Sequence, residues 1–281
     1  MHLKDIVIVY HADCQDGFGA AYAGWKKFGD SASYIPVKLR DVPPEGLEGK
    51  EVYIVDYSYP TTVLLDLEKR TKKLVVLDHH IGAQESVESV KEHIFDNDRS
   101  GATITWKYFH PDVDTPLLLK YVEDNDIWRH AMPSWKELTT FVSTVPFDFE
   151  IWDSLSKRFE NASELAALTS KGVAYVEYLD FIYQELVSKA EMVEFAGHQV
   201  LAVNAPRFFR SELGHLLATQ KGPFAIVWYA YGDKWHLSLR GDGSIDLTEI
   251  AKPYGGSGHK SASAIDLPID QPLPFKRIPA A

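Results

Sequence analysis

Aspartate and histidine side chains close three separate apolar runs near the start of the sequence. The runs lie in "IVIVYHADCQDG", "VYIVDYS" and "VVLDHH", and the residues concerned are His11, Asp13, Asp16, Asp56, Asp78, His79 and His80. Carboxylate oxygens and imidazole nitrogens are ligands of hard and borderline divalent cations. Any one of these residues alone is explained as well by a turn or by solvent exposure. Their joint occurrence at three consecutive strand ends predicts a metal site, for which Mn²⁺ fits the mixed ligands best and Mg²⁺ and Zn²⁺ are alternatives.

The elements that must position these residues form a repeating pattern up to about residue 130. Short β-rich runs alternate there with helix-length segments, which is typical of βαβ units around a parallel sheet. Ligands of such sheets bind beyond the carboxyl ends of the strands, at a topological switch point. We therefore expect the three polar strand ends to meet at one edge of the sheet.

The second half of the chain carries a different pattern. From Asn161 to about Phe195 the sequence is free of proline and apolar at helical spacing, which predicts a connecting helix. Beyond it, alternating strand and helix patterns, including two strands around a Gly-Asp turn, predict a small α/β domain. The expected fold class is α/β, with a parallel-sheet domain at 1–160, a helix at 161–195 and a smaller mixed-sheet domain at 196–281.

Composition limits the class of protein. The 281 residues are 45% hydrophobic, which allows a large core, and no apolar window reaches the roughly 18 residues that a membrane span requires. The N-terminus "MHLKDIVIVYHAD" becomes polar too soon for a signal peptide, so a cytoplasmic protein is expected. Cys14 is the single cysteine, which excludes an internal disulfide and a cysteine-rich zinc site. The formal net charge of −11 argues against binding of long duplex nucleic acid.

Four motifs, in order along nearly the whole chain, resemble those of the DHH phosphoesterase superfamily. "VVLDHH" resembles its Asp-His-His signature, "YHADCQDGFGAA" its first motif and "VYIVDYS" its second. "WHLSLRGDGSIDLTEIAKPYGGSGHKSASA" is similar to the DHH-associated domain, whose hallmark is a Gly-Gly-x-Gly-His-x-x-Ala loop preceded by a strand that ends in arginine. The first motif and "EDNDIW" look most like the branch of nano-RNase-type oligoribonucleases and cyclic-nucleotide phosphodiesterases, relatives of the RecJ exonucleases.

This resemblance implies two divalent ions and a role for each residue of the second and third motifs. Asp56 would be the carboxylate that bridges the ions, and His79 would be a ligand of the second ion. His80 would face the phosphate of the substrate, and Asp78 would orient an imidazole ring.

A further aspartate ligand is expected after the next helix. "YVEDNDIW" offers both Asp124 and Asp126. We prefer Asp124, by a small margin, because it directly follows the helix-like "LLLKYVE".

The first motif departs from the pattern of the superfamily. Relatives carry an aspartate two residues before the final Asp-Gly, where this chain has Cys14 before Asp16. Either Cys14 replaces a ligand, or Asp13 serves with one residue inserted after it. We expect His11, Asp13 and Asp16 to be the ligands, since a lone cysteine after a strand is more often a small buried residue.

The C-terminal stretch "GGSGHKSAS" has the composition of an anion-binding loop. Its glycines, Gly255, Gly256 and Gly258, allow backbone N–H groups to approach a phosphate closely. His259 and Arg240 would add charge-assisted hydrogen bonds. A flexible glycine-rich turn is the alternative. The resemblance implies that this domain holds the far end of a substrate that the N-terminal domain cleaves.

Three functions are compatible with the sequence. The first is a metal-dependent phosphodiesterase or exonuclease that releases nucleoside monophosphates from short oligonucleotides or linearised cyclic dinucleotides. The second is a nucleotide phosphomonoesterase or pyrophosphatase, and the third is a non-catalytic nucleotide binder in which Cys14 disables the first metal site. The expected partners are a short oligonucleotide or nucleotide, with no long duplex and no membrane, and a homodimer is compatible with this function.

Overall fold

The apolar runs before the polar strand ends form the centre of a parallel sheet in the computed structural model, which describes residues 3–38 and 41–279. The chain divides into unit 1, Met1–Val176, and unit 2, Glu177–Ala281. The strands of unit 1 are β1 (Ile6–His11), β2 (Ala32–Val37), β3 (Glu51–Val55), β4 (Lys73–Asp78) and β5 (Glu92–Phe95). All neighbours are parallel in the order β2-β1-β3-β4-β5, so the switch point lies between β1 and β3.

Helices cover both faces of this sheet because successive strand residues point to opposite sides. The helices of unit 1 are α1 (Gln15–Phe28), α2 (Thr61–Arg70), α3 (Gln84–Glu88), α4 (Gly101–Phe109), α5 (Leu117–Asp126), α6 (Trp135–Val142) and α7 (Phe149–Phe159). Val7 of β1 packs in one buried cluster with Leu64 of α2. Ile8 packs on the opposite face with Ala20 of α1 and Ile104 of α4. The central strands are therefore buried on both sides, which is why they are continuously apolar.

The edge strands β2 and β5 were not predicted from the sequence. Pro36 lies within β2, where it is tolerated because β2 pairs on one side only. β5 is four residues long and largely exposed, so it lacks the apolar run that marks the central strands.

The predicted connecting helix is shorter than the sequence suggests. Helix α8 (Ala162–Val187) contains the boundary between the two units and ends before residue 195. Residues Glu191–Phe195 instead form strand β6, with Val193 and Phe195 buried on one side. The alternation of polar and apolar residues in "EMVEF" has the period of a strand, and its pairing with the following strand prevails over helix propensity.

Unit 2 contains a mixed sheet of seven strands in the order β10-β11-β9-β8-β7-β6-β12. Its other elements are β7 (His198–Asn204), α9 (Arg210–Gln220), β8 (Phe224–Tyr231), β9 (Lys234–Gly241), α10 (Leu247–Ala251), β10 (Ser257–His259), β11 (Ala262–Pro268) and β12 (Lys276–Arg277). β7 and β8 pair in parallel and the other neighbours are antiparallel. The predicted α/β class, with a parallel sheet followed by a mixed one, is confirmed. No helix within residues 3–38 and 41–279 combines the length and hydropathy of a membrane span.

Candidate metal centre

Eight side chains that can bind metal come together at the carboxyl ends of β1, β3 and β4, and one of them, Asp126, comes from the end of α5. In three overlapping groups, one ligand atom from each residue lies within 4.8 Å of the others. The groups are His11, Cys14 and Asp56; Asp16, His79 and Asp126; and Asp56, Asp78, His79 and His80. The expectation that the polar strand ends meet at one edge of the sheet is thus met by the geometry.

Asp56 lies at the centre of this cluster. It follows β3 in a left-handed conformation, with φ of +53°, and its N–H donates to the carbonyl of Leu77 at 2.9 Å. Its Oδ1 lies 3.2 Å from Nε2 of His79, and its Oδ2 lies 3.5 Å from Nδ1 of His11. Gly101 leaves room for this carboxylate, because a Cβ at position 101 would stand 2.4 Å from the Cβ of Asp56.

Asp16 is held by the N-terminus of α4. Its two carboxylate oxygens accept hydrogen bonds from the N–H groups of Gly101, at 2.6 Å, and Ala102, at 3.0 Å. The unpaired amides and the dipole of a helix N-terminus favour a negative charge there. Oδ2 of Asp16 also lies 3.6 Å from Nε2 of His79, so α4 fixes this carboxylate beside the histidine.

Asp78 orients His80. Its Oδ1 accepts from the N–H of His79 at 2.8 Å, from the N–H of His80 at 3.3 Å, and lies 2.7 Å from Nδ1 of His80. Burial lowers the pKa of His80, but the neighbouring carboxylates Asp78 and Asp56 outweigh it and raise the pKa to about 9. Because Nδ1 of His80 is in contact with Asp78, Nε2 is the ring nitrogen that a ligand can reach.

The last aspartate of the cluster is Asp126, which corrects the prediction of Asp124. Oδ2 of Asp126 lies 3.5 Å from Nε2 of His79. The carboxylate of Asp124 is buried elsewhere and accepts from the N–H groups of Ala131, at 2.9 Å, and Met132, at 3.2 Å. Residues two apart on a helix do not share a face, so only one of the two aspartates can reach the cluster.

Cys14, and not Asp13, occupies the corner next to His11. Asp13 is half exposed and forms an ion pair with Lys38 at 2.7 Å, which keeps it out of the cluster and corrects its prediction as a ligand. Sγ of Cys14 lies 3.5 Å from Nδ1 of His11 and 3.6 Å from Oδ2 of Asp56. It also accepts from the N–H of Gly17 at 3.2 Å and so caps α1. Burial and the nearby carboxylates raise the pKa of this thiol.

The electrostatics of the cluster fit bound cations. Burial, and after it the charge of Asp56, raises the pKa of Asp16 well above its usual range and that of Asp126 to about 6. Burial also opposes ionisation of Asp56, but contacts with His11 and His79 prevail and lower its pKa. Crowded carboxylates of this kind repel one another, and a divalent cation would relieve that repulsion.

Unpaired buried atoms support the same conclusion. Oδ1 of Asp56, Oδ2 of Asp78 and Nε2 of His79 are buried and form no hydrogen bond with any residue in the described ranges. A buried polar atom without a hydrogen bond is costly, and although Oδ1 of Asp56 and Nε2 of His79 lie 3.2 Å apart as an ion pair, a bound cation would satisfy these atoms better. The oxygen and nitrogen donors present fit divalent cations.

The predicted phosphate-binding residues of unit 2 share one row of its sheet. Ala262 of β11 stands between Arg240 on β9 and His259 on β10 in the strand register, so these two side chains lie on the same face. The guanidinium of Arg240 donates to Oγ of Ser211 at 3.2 Å and to the carbonyl of Leu239 at 2.9 Å. Burial and the charge of Arg210 lower its pKa to about 10.

The glycine-rich stretch is a strand connection and not an open loop. Gly255 and Gly258 have φ of +72° and +151°, and a Cβ at Gly256 would stand 2.4 Å from the carbonyl oxygen of Ala264. Its residues 257–259 pair with β11 as strand β10. The glycines therefore permit a close turn of the backbone next to the row that carries His259.

Sequence reasoning missed the part that α4 plays in the site. Ser100 caps α4, and Gly101 is both the first residue of the helix and the contact of Asp56. "SGAT" carried the signal of a capping serine before a helix, but nothing in it indicated which carboxylate the helix would meet.

The chain is similar to a curated protein in sequence and to solved structures in fold. No protein-family model matches the chain. The uncharacterized protein R106 of Acanthamoeba polyphaga mimivirus is 31% identical over 299 residues, covering 97% of this chain and 70% of R106. The solved DHH domain of a protein described as a member of a ribosomal-protein family has a TM-score of 0.60 and 16% identity, covering 98% of this chain and 83% of that structure.

The second structure is the pGpG-specific phosphodiesterase PggH from Vibrio cholerae. Its TM-score is 0.55, with 13% identity over 94% of this chain and 94% of that chain. At such identities both similarities concern the fold. They confirm, at that level, the resemblance that the sequence motifs carry, whereas the nano-RNase branch stays a prediction.

Proposed function

This chain belongs to the same family as protein R106 and has the DHH fold, and we propose that it is a divalent-metal-dependent phosphoesterase. The observation that carries the proposal is the cluster of buried carboxylates and imidazoles at the switch point of the parallel sheet. Within it, Oδ1 of Asp56 and Nε2 of His79 lie 3.2 Å apart, and neither has a hydrogen bond of regular geometry within the described residues.

Two ligand groups would hold two ions, and Asp56 of the first lies 3.2 Å from His79 of the second. Asp56 and His11, next to Cys14, would hold one, and Asp16, His79 and Asp126 would hold the other. We propose Mn²⁺ as the metal, since it accepts both carboxylate and imidazole. Bound ions would supply the positive charge that stabilises a phosphate undergoing attack and would lower the pKa of a water molecule.

The protein's own residues would then bind and orient the substrate. Because Asp78 binds Nδ1 of His80, the ring presents Nε2 as a donor to a phosphate oxygen. His80 is partly exposed, as a substrate contact must be. The N-terminus of α4 fixes Asp16 and, through Gly101, limits the movement of Asp56, so the centre is ordered before substrate binds.

We propose short oligonucleotides or linear dinucleotides as substrates, hydrolysed to nucleoside monophosphates. The net charge of −11 disfavours long nucleic acid, and Arg240 and His259 offer a second phosphate contact on one row of unit 2. The similarity in fold to PggH, which is named for a linear dinucleotide, is consistent with this substrate class.

The test is hydrolysis of a panel of di- to hexanucleotides, cyclic nucleotides and nucleoside bisphosphates by metal-free protein and by protein supplied with Mn²⁺. We expect nucleoside monophosphates to appear only with metal. Asp56→Ala should abolish turnover and lower the metal content, whereas Asp13→Ala, outside the cluster, should change neither by more than about twofold. Undiminished hydrolysis after exhaustive chelation would contradict the proposal.

A second candidate function is nucleotide binding without turnover, and the position of Cys14 favours it. The thiol of Cys14 contacts both His11 and Asp56, so the first ligand group offers a sulfur atom, with a pKa that burial raises, where a carboxylate would offer oxygen. If the protein binds nucleotides with Mn²⁺ but does not cleave them, and Cys14→Asp gains hydrolysis, this second function is correct.

A further inference from the structure

The N-cap of α1 fixes the sulfur of Cys14 at the end of β1. Cys14 is the capping residue, and its Sγ accepts a hydrogen bond from the N–H of Gly17 at 3.2 Å. Gly17 lies so close to β1 that a Cβ there would stand 2.1 Å from the carbonyl oxygen of His11. The first turn of α1 is therefore packed against the last residue of β1, and the capping bond holds the sulfur beside the imidazole of His11.

Sγ of Cys14 forms a nearly equilateral triangle with two other donor atoms. It lies 3.5 Å from Nδ1 of His11 and 3.6 Å from Oδ2 of Asp56, and those two atoms lie 3.5 Å apart. A tetrahedral zinc ion, with a bond of about 2.3 Å to sulfur and about 2.0–2.2 Å to nitrogen or oxygen, places its ligand atoms about 3.3–3.7 Å from one another. The three donors thus have the spacing of three corners of a zinc tetrahedron.

Hydrogen bonding alone does not satisfy the carboxylate of this triangle. Asp56 is 1% exposed, and its Oδ1 has no hydrogen bond of regular geometry within the described residues. A thiol is a weak donor, so the contact of Cys14 with Oδ2 at 3.6 Å does little to offset the burial of a carboxylate. A cation bound by the sulfur, the imidazole and the carboxylate would offset it, and three protein ligands are the number that catalytic zinc sites have.

The second ligand group contains no sulfur. Asp16, His79 and Asp126 offer only oxygen and nitrogen. Thiolates select zinc, whereas carboxylates suit Mn²⁺, so the two groups differ in the ion that they favour. We propose that Cys14 is a metal ligand and makes the first position selective for Zn²⁺, while the second position keeps Mn²⁺.

This inference deepens the proposed function, on which it rests for the two metal positions, and replaces Mn²⁺ by Zn²⁺ at one of them. On coordination the thiol of Cys14 releases its proton to solvent, and the sulfur binds as a thiolate. Its side chain then has two roles, since the same atom caps α1 and binds the ion.

Cobalt tests the bond to sulfur directly. Co²⁺ substitutes for Zn²⁺ in proteins, and a cobalt–thiolate bond gives a charge-transfer band in the near ultraviolet. Cys14 is the single cysteine of the chain, so no other residue can produce this band. We expect the band when metal-free parent protein is titrated with Co²⁺ under reducing conditions, and we expect Cys14→Ser to lack it.

Competition between metals tests the selectivity. Titration against a chromophoric chelator gives the affinities for Zn²⁺ and for Mn²⁺ without any measurement of hydrolysis. Cys14→Ser and Cys14→Asp should lower the ratio of Zn²⁺ affinity to Mn²⁺ affinity by at least about tenfold, because even residues that only position a ligand change metal affinity by about 10- to 100-fold.

The same two variants separate metal binding from capping. Serine and aspartate are preferred N-cap residues, and their oxygen can accept from the N–H of Gly17 as the sulfur does. Both metal-free variants should therefore melt as the metal-free parent does, and lost Zn²⁺ affinity then does not come from unfolding.

Three results would overturn the inference: no Co²⁺ binding by the parent, Co²⁺ binding without the charge-transfer band, or an unchanged ratio of Zn²⁺ to Mn²⁺ affinity in Cys14→Ser. Failure of the proposed function looks different. If the band and the selectivity are present but no phosphoester is cleaved with either metal, Cys14 is a metal ligand and the enzymatic activity is absent.

Discussion

Gly101 is the residue whose missing side chain admits the central carboxylate. A Cβ there would stand 2.4 Å from the Cβ of Asp56 and 2.7 Å from its Oδ1, and α4 cannot retreat without losing its contacts to Asp16. We expect Gly101→Ala to weaken Mn²⁺ binding by about 10- to 100-fold, as measured by calorimetry, because the residues that position a ligand affect affinity to that extent.

Gly82→Ala provides the control for Gly101→Ala. It adds the same methyl group three residues after the cluster member His79, but into open space, since no atom lies within 4 Å of its added Cβ. Metal affinity should stay within about twofold of the parent. A Gly101→Ala protein that binds Mn²⁺ as the parent does would show that Asp56 is not confined in this way.

Asp124 and Asp126 should respond differently to the same substitution. Asp126→Asn removes a charge that burial and Asp56 already disfavour, so it should lower Mn²⁺ affinity without lowering the melting temperature. Asp124→Asn places an amide N–H against a backbone N–H and should destabilise the fold by about 1–3 kcal/mol. Thermal melts and Mn²⁺ titrations of both variants test this. If Asp124→Asn lowers the Mn²⁺ affinity and Asp126→Asn lowers the melting temperature, Asp124 is the metal ligand.

The same two residues show what the sequence could not determine about the site. Strand-end residues were predicted together because each follows an apolar run, and a strand places its last residue at a known edge. Asp124 and Asp126 both end a helix, where the direction of a side chain depends on helical phase that the sequence leaves open to within a residue. The sequence likewise does not show which of the adjacent residues Asp13 and Cys14 faces His11; in the structure Asp13 has a left-handed φ of +60° and pairs with Lys38.

Among the elements, α4 and α5 are joined by one buried carboxylate. Glu123 accepts from Thr103, from Nε of Arg99 at 3.1 Å and from the N–H of Ser100 at 3.2 Å, and Arg129 donates to its other oxygen at 3.0 Å. Burial opposes its charge, but these donors prevail and lower the pKa of Glu123. The N-terminus of α4, which holds Asp16, is thereby tied to the helix that carries Asp126.

This depressed pKa predicts how stability depends on pH. The carboxylate of Glu123 contributes stability above the ordinary glutamate pKa, and that contribution is lost as the pH falls through the lowered pKa of the folded state. Glu123→Gln should be about 1–3 kcal/mol less stable than the parent at pH 7, with the difference shrinking in acid. Urea unfolding between pH 7 and pH 3 measures it, and a difference that stays constant would contradict the assignment.

The elements that were predicted from the sequence are those whose own residues form a recognisable pattern, such as an apolar run or a turn. β1, β3 and β4 are apolar without interruption, and β8 and β9 flank a Gly-Asp turn. The edge strands of unit 1 were missed, because their stability comes from pairing with a neighbour and not from their composition. The end of α8 was missed for the same reason, since β6 exists through its ladder with β7.

At the scale of the whole molecule, the candidate metal ligands and the predicted phosphate-binding residues lie in different units. All eight members of the metal cluster belong to unit 1, whereas Arg240 and His259 belong to unit 2. Metal should therefore stabilise unit 1, because a ligand stabilises the folded state that binds it. Substitutions of Arg240 or His259 in unit 2 should leave metal binding intact.

Arg240→Ala tests whether unit 2 contributes to phosphate binding without contributing to metal binding. A charge-assisted contact to phosphate is worth roughly 1.5–3 kcal/mol, so the variant should lose on the order of 10-fold or more in kcat/KM on dinucleotides. It should bind Mn²⁺ as the parent does and cleave a small chromogenic phosphodiester at nearly the same rate.

Arg277→Ala is the matched control for Arg240→Ala. It removes the same charge from an exposed ion pair with Glu191 in unit 2 and should change none of these values. Equal losses in both variants would attribute the effect to net charge, and a loss of Mn²⁺ affinity in Arg240→Ala would place this arginine at the metal centre. Both variants must melt as the parent does, because Arg240 also packs against Gly214 of α9 and its removal could loosen that helix.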